Sequence, residues 1–129
     1  MKRLLFSIVS LFVLSISLNA QGLKHTTSYK QGLNDALAQN KPMVIFMYGK
    51  NCPWCSRMEQ TTFSNKNVVE LLNKNFIFIA INQNRNDYPK KFIPKGVPTT
   101  YIVDPKSERI LNTLMGYKDS KSFLEILKL

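Results

Sequence analysis

Two apolar runs set the limits on what this chain can fold into. Met43-Val-Ile-Phe-Met-Tyr48 lies between a proline and a glycine, and Phe76-Ile-Phe-Ile-Ala-Ile81 lies between two asparagines. Neither alternates with polar residues, so each reads as a strand buried on both faces. Helical signals separate them. Ser56 to Gln60 has helical character, and Ser64 or Asn65 caps a further helix that ends at Asn75, with Val68, Val69, Leu71 and Leu72 on its inner side. A crossover of that length returns the chain to the same end of the sheet, so the two strands run parallel.

The flanking segments complete the pattern. Upstream, Thr26 or Thr27 caps a helix running to about Asn40, with Leu33, Ala36 and Leu37 at helical spacing, and Lys41-Pro42 stops it. Downstream, Asn82 to Pro94 is polar and proline-punctuated, a loop with a short helical turn. Thr99–Val103 and Arg109–Met115 read as strands joined by a turn at Asp104-Pro105-Lys106-Ser107, an antiparallel hairpin ended by Gly116. Asp119 or Ser120 caps a last helix with Phe123, Leu124 and Leu127 inward. The expected fold class is α/β: a small central mixed β-sheet flanked by helices on both faces. Repeats, low-complexity stretches and a Pro/Gly linker are all absent, which fits one domain.

Residues 1–20 stand apart from that domain. Lys2 and Arg3 precede an apolar run from Leu4 to Leu18, broken only by small serines, and Asn19-Ala20-Gln21 turns polar. This is the layout of a secretory signal peptide cut after Ala20, leaving residues 21–129 as the mature domain. The alternative is an uncleaved membrane tether, for which the run is short of the roughly 20 residues a spanning helix needs. The expected location is periplasmic or otherwise exported, an oxidising compartment where thiols persist only if they are maintained or used.

The chain carries 18 basic and 8 acidic residues, a formal net charge of +10, and Lys2 and Arg3 account for two of those charges, leaving +8. Basic charge can serve nucleic acid or anionic membrane. Here the lysines are scattered and the longest run is Lys90-Lys91, so they read as a solvated face, with no nucleic-acid partner expected.

Both cysteines, Cys52 and Cys55, fall in Gly-Lys-Asn-Cys-Pro-Trp-Cys-Ser-Arg-Met. As a staple the pair closes a loop of about four residues and would stabilise by roughly 2 kcal/mol at most, a poor placement. As a zinc site it is short of ligands, because a closed site takes four and the sole histidine, His25, lies far off in sequence. Copper(I) would accept two thiolates, with Met47 and Met58 as nearby soft donors, but both occupy positions that suit core packing. A working redox pair fits best. Cys52 sits at a helix start, where unpaired N–H groups and the positive end of the dipole stabilise a thiolate. Pro53 suits the first helical turn, and Trp54 completes the dipeptide that tunes the pair. Cys55, one turn inward, is then the resolving thiol. No metal and no cofactor beyond a redox-active Cys52–Cys55 disulfide is expected.

Gly96-Val97-Pro98-Thr99-Thr100 precedes the third strand. A proline is tolerated at a strand's first residue because it need not donate to the ladder. With a cis Val97–Pro98 bond, the exposed backbone of Val97 would pair with an extended substrate strand beside the reactive sulfur; a trans turn proline is the alternative.

This order of strand, Cys-Pro-Trp-Cys opening a helix, second strand and Gly-Val-Pro-Thr starting a hairpin resembles the thioredoxin superfamily over residues 26–129. The stretch KPMVIFMYGKNCPWCSRMEQTTFSNKNVVELLN is similar to its exported thioredoxin-like branch, which includes the C-terminal domain of the thiol:disulfide interchange protein DsbD. The resemblance implies a thioredoxin fold, Cys52 as attacking thiol, Cys55 as resolving thiol and Pro98 as a cis-proline, with Val97, Pro98 and Thr99 binding substrate. It further implies an exported thiol:disulfide oxidoreductase, a reductase of protein disulfides in preference to a disulfide-forming oxidase or isomerase. Its expected partners are protein disulfides or dithiols and a membrane redox donor or acceptor, with the chain itself a monomer. A non-catalytic copper(I)- or peptide-binding module of the same fold is the alternative from another class. Three positions depart from thioredoxins: Phe46 replaces a buried acid, Ala80 replaces the lysine that often accompanies it, and Asn51 stands in place of a tryptophan.

Overall fold

The computed structural model describes residues 22–128, so the leader expected over residues 1–20 lies outside them. Four strands, β1 (Met43–Tyr48), β2 (Ile77–Asn82), β3 (Thr99–Val103) and β4 (Ile110–Met115), form a sheet of order β2-β1-β3-β4. β1 and β2 pair in parallel, whereas β1–β3 and β3–β4 are antiparallel. Four helices join them: α1 (Tyr29–Gln39), α2 (Pro53–Thr61), α3 (Lys66–Asn75) and α4 (Ser120–Leu127), with a short 3-10 turn at Lys90–Phe92.

Strand alternation divides the core into two layers. Val44, Phe46, Phe78, Ile102 and Leu114 face α2, α3 and α4, meeting Cys55, Met58, Phe63, Val68, Leu72 and Phe123. Met43, Ile45, Met47, Ile79, Ile81, Tyr101 and Val103 face the other way, toward Tyr29 and Ala36 of α1 and Phe92 of the 3-10 turn. The mixed sheet with helices on both faces is therefore as the apolar runs require.

Local signals set most boundaries. Asn65 caps α3 by accepting the N–H groups of Asn67 and Val68, and Asp119 caps α4 by accepting that of Ser122. Asn40 ends α1 in the left-handed conformation, its N–H bonded to Ala36 and Leu37 carbonyls.

The structure corrects the expected helix start at Thr26 or Thr27. Ser28 is the cap, and Thr26 instead forms a parallel bridge to Ile79, its N–H donating to Phe78 and its carbonyl accepting from Ala80. That rudimentary fifth strand draws α1 close onto β2, where a side chain at Gly32 would run into Ile79. Leu37, expected inward, is 47% exposed. Phe76 and Arg109 lie just outside their strands, and α2 begins at Pro53 rather than Ser56.

Candidate active site

Cys52 and Cys55 form a disulfide with their Cα atoms 5.2 Å apart. Cys52 is the N-cap of α2: its backbone is extended, and its Sγ accepts the backbone N–H of Cys55 at 3.2 Å. Pro53 follows at the first helical position, where its missing N–H costs nothing. Asn51 precedes the cap at φ 55°, a left-handed conformation that asparagine tolerates and a tryptophan would adopt only with strain. The substitution at this position thus has a backbone reason.

The two sulfurs occupy different environments. Cys55 is 3% exposed and packs into the aromatic layer, whereas Cys52 is only partly buried. Incoming groups therefore reach Cys52, and the unpaired N–H groups of the first turn of α2 lie around it.

Sheet register brings the second segment to the same end. Met47 pairs with Thr99, so the chain leaving β1 toward Cys52 and the chain entering β3 through Val97-Pro98 meet there. The Val97–Pro98 peptide bond is cis. Pro98 is buried and Val97 is partly exposed against the same core layer as Cys52. The Pro98 carbonyl accepts the N–H of Gly116 at 2.8 Å, and Thr99 Oγ1 donates to the Gly96 carbonyl at 2.6 Å. All seven residues singled out in the sequence (Cys52, Pro53, Trp54, Cys55, Val97, Pro98 and Thr99) thus lie on two adjoining segments at one end of the sheet.

Among the described residues no ionisable side chain is buried beneath the disulfide. Phe46 is 1% exposed, with its ring 4.9 Å from Phe63 and 6.4 Å from Phe78. The register pairs Phe46 with Ala80, so the two positions that depart from thioredoxin's acid and lysine face each other as an apolar pair. On the other side Phe46 pairs with Thr100, whose Oγ1 is buried without a hydrogen-bond partner among the described residues. Met47 and Met58 cannot converge on the sulfurs, because they lie in opposite core layers. Among the described residues no group of three or more His, Cys, Asp or Glu is placed to hold a metal, and His25 is an exposed residue of the N-terminal segment.

Reading the sequence missed the residues beside Trp54. Trp54 is 55% exposed, its ring 5.5 Å from that of Tyr117, and the Arg57 guanidinium lies 5.6 Å and 5.8 Å from the two ring centres. Tyr117 Oη also meets Thr61 Oγ1 at 3.0 Å. That bond first, and then the neighbouring Arg57, holds the Tyr117 phenol below its ordinary pKa. The Trp54-to-Arg57 spacing of three residues signals a shared helix face; nothing local signals Tyr117.

A family described as a thioredoxin-like domain matches residues 29–129. Spermatogenesis-associated protein 20 of Mus musculus is 31% identical over 65 residues, 50% of this chain but only 8% of that protein. The thiol:disulfide interchange protein DsbD of Yersinia pestis is 30% identical over 98 residues, 72% of this chain and 16% of its own length. The chain thus spans a small fraction of both curated relatives. Among solved structures, the reduced DsbD C-terminal domain of Neisseria meningitidis superposes with a TM-score of 0.64 at 20% identity, covering 80% of this chain and 96% of that one.

Proposed function

The chain belongs to the thioredoxin-like family, and on that footing we propose that it is an exported thiol:disulfide oxidoreductase that reduces disulfides in other proteins. The observation that carries the reading is the cap at α2. One sulfur of the close pair is accessible and bonded to a helix N-terminal N–H, and the other is buried one turn behind it. Such an arrangement stabilises a thiolate at Cys52 and shields Cys55 from competing attack.

The cycle balances in two steps. In the dithiol form, Cys52 thiolate attacks a substrate disulfide; a Cys52–substrate bond forms, and the departing sulfur takes up a proton. Cys55 then gives up its proton and attacks Cys52 Sγ, which restores the intramolecular disulfide and releases the second substrate thiol. Two electrons have passed to the substrate. A dithiol protein donor at the membrane would return them. With Phe46 and Ala80 where thioredoxins have an acid and a lysine, the Cys55 proton leaves to water or to substrate, and this step is slow. Val97 presents backbone to an extended substrate strand, beside Pro98 and Thr99.

Export rests on the signal-like layout of residues 1–20, with a domain over 21–129; among the described residues no helix is long and apolar enough to cross a membrane. The chain acts as a monomer with protein partners, and the disulfide is its only redox group.

Insulin reduction in the presence of dithiothreitol tests the activity. The protein accelerates precipitation of the insulin B chain, Cys52→Ser abolishes the effect, and Cys55→Ser accumulates mixed disulfides. No acceleration by the intact pair, together with nanomolar copper(I) binding, would replace this reading with a metal-binding one. Direction is read by trapping thiols in the native compartment: a reductase holds the pair mainly reduced, and a mainly oxidised pair reverses the assignment to an oxidase.

A further inference from the structure

In the patch formed by Trp54, Arg57 and Tyr117, the tyrosine packs against the core while the other two side chains face solvent. Trp54 leaves more than half its surface in water, and Arg57 on the outer face of α2 is exposed. Pro53, Trp54, Ser56, Arg57 and Gln60 line an open cleft that begins at the proline next to Cys52. The guanidinium lies over two rings and beside the Tyr117 hydroxyl, and with five N–H donors it has capacity left for a further acceptor.

Among the described residues no carboxylate supplies that acceptor. The sole ion pair among the described residues joins Arg85 to Asp87, elsewhere in the fold. The two acids nearest in sequence are otherwise placed. Glu59 is two residues further along α2, about 200° around the helix from Arg57. The Asp119 carboxylate caps α4 and is held below its ordinary pKa by its bond to Ser122. Positive charge adjoins instead: Lys50 is exposed in the loop before Cys52, and Lys118 Nζ lies 3.0 Å from the Met115 carbonyl on the segment leading to Tyr117. Met115 itself is 59% exposed. The patch itself is therefore aromatic and cationic at once.

We propose that this patch is a docking clamp for an acidic segment of the substrate protein, with Arg57 receiving a carboxylate between the Trp54 and Tyr117 rings. The proposal rests on the oxidoreductase reading and names the class of protein disulfide that reading leaves open. Spacing adds a register. Arg57 is five residues from Cys52, about 7.5 Å along the helix axis at 1.5 Å per residue. An extended substrate advances about 3.3 Å per residue, so the carboxylate lies two or three residues from the reacting cysteine. A bidentate Arg–carboxylate contact gives direction as well as attraction, and the aromatic walls favour an apolar neighbour.

The test uses the pre-reduced, desalted protein and two synthetic peptides, each carrying one cysteine as a mixed disulfide with 2-thiopyridine. One peptide has aspartate three residues from the cysteine and the other has lysine there. Each reaction converts the protein dithiol to its disulfide and releases the peptide thiol and pyridine-2-thione, whose absorbance is followed. The aspartate peptide reacts faster, by roughly tenfold at low salt, and the ratio falls toward one as salt screens the contact. Within Arg57→Gln the ratio collapses, and within Arg57→Glu it inverts; both variants change an exposed side chain and retain the fold. A ratio near one in the wild type, or one unchanged in both variants, overturns the clamp while leaving the oxidoreductase intact. Failure of both peptides to react at all overturns the oxidoreductase reading itself.

Discussion

The two faces of the sheet are buried to similar depth but treat polar groups differently. On the α1 face Tyr29 Oη donates to Glu108, and Thr99 Oγ1 donates to the Gly96 carbonyl. Lys91 Nζ also donates to the Glu108 carbonyl at 2.6 Å. Under α2 the buried Thr62 hydroxyl at the end of the helix donates to the Lys118 carbonyl at 2.6 Å, but deeper in the layer Phe63 packs against Phe46, Phe78 and Phe123 at 4.9, 4.8 and 5.5 Å, and the Thr100 hydroxyl has no partner among the described residues. The redox face is thus the more hydrocarbon-like of the two. The polar groups nearest Cys52 Sγ lie at the rim, in the first turn of α2, and not inside the core.

The strongest challenge to that contrast is Phe46→Asp. A carboxylate there has no lysine opposite, since Ala80 occupies the paired position, and the variant loses roughly 3–5 kcal/mol in urea or guanidinium unfolding at neutral pH. Burial raises the new carboxyl's proton affinity, so the folded state binds more protons than the unfolded one and the deficit shrinks as pH falls. Adding Ala80→Lys recovers part of the loss. A deficit independent of pH would mean that the redox face is wetter than its aromatic packing implies.

On the α1 face, Tyr29→Phe costs about 1.5 kcal/mol at neutral pH, the scale of a hydrogen bond to a charged group. Burial first, and then the bond to Glu108, raises the Tyr29 pKa. Its stabilisation is therefore complete below the ordinary phenol value of about 10 and is lost as pH rises beyond it. Thermal unfolding from pH 8 to 12 shows this: the wild type falls more steeply than Tyr29→Phe, and parallel curves would remove Tyr29 from the comparison. The smallest effect has the opposite sign. Thr100→Val removes an unpaired buried hydroxyl at little change in size, raising stability by about 1 kcal/mol in the same unfolding assay. A loss of that size would reveal a partner for the hydroxyl.

Where the sequence was informative, the reason was periodicity or a cap. Met43–Tyr48 is apolar at every position because the strand is covered on both sides, and Asn65 and Asp119 announce their helices by side-chain chemistry that acts within three residues. Cys52 and Cys55 were legible because their spacing equals one helical turn. The Thr26 misreading has a clear cause: threonine suits both a cap and a strand, and only the partner Ile79, distant in sequence, decides between them. The Trp54–Arg57–Tyr117 arrangement was illegible for the same reason, because the strand-to-α4 segment that carries Tyr117 folds back over α2.

Gly49 shows how tightly the two active segments are joined. A methyl group there would come within 2.9 Å of the Gln83 side chain and 3.1 Å of Val97 Cγ2. The loop carrying Cys52 and the loop carrying the cis-proline are thus closely packed against each other at this point. A side chain larger than glycine's at this position would push the two segments apart, so the spacing between Cys52 and the Val97-Pro98 turn is tied to the absence of a Cβ at Gly49.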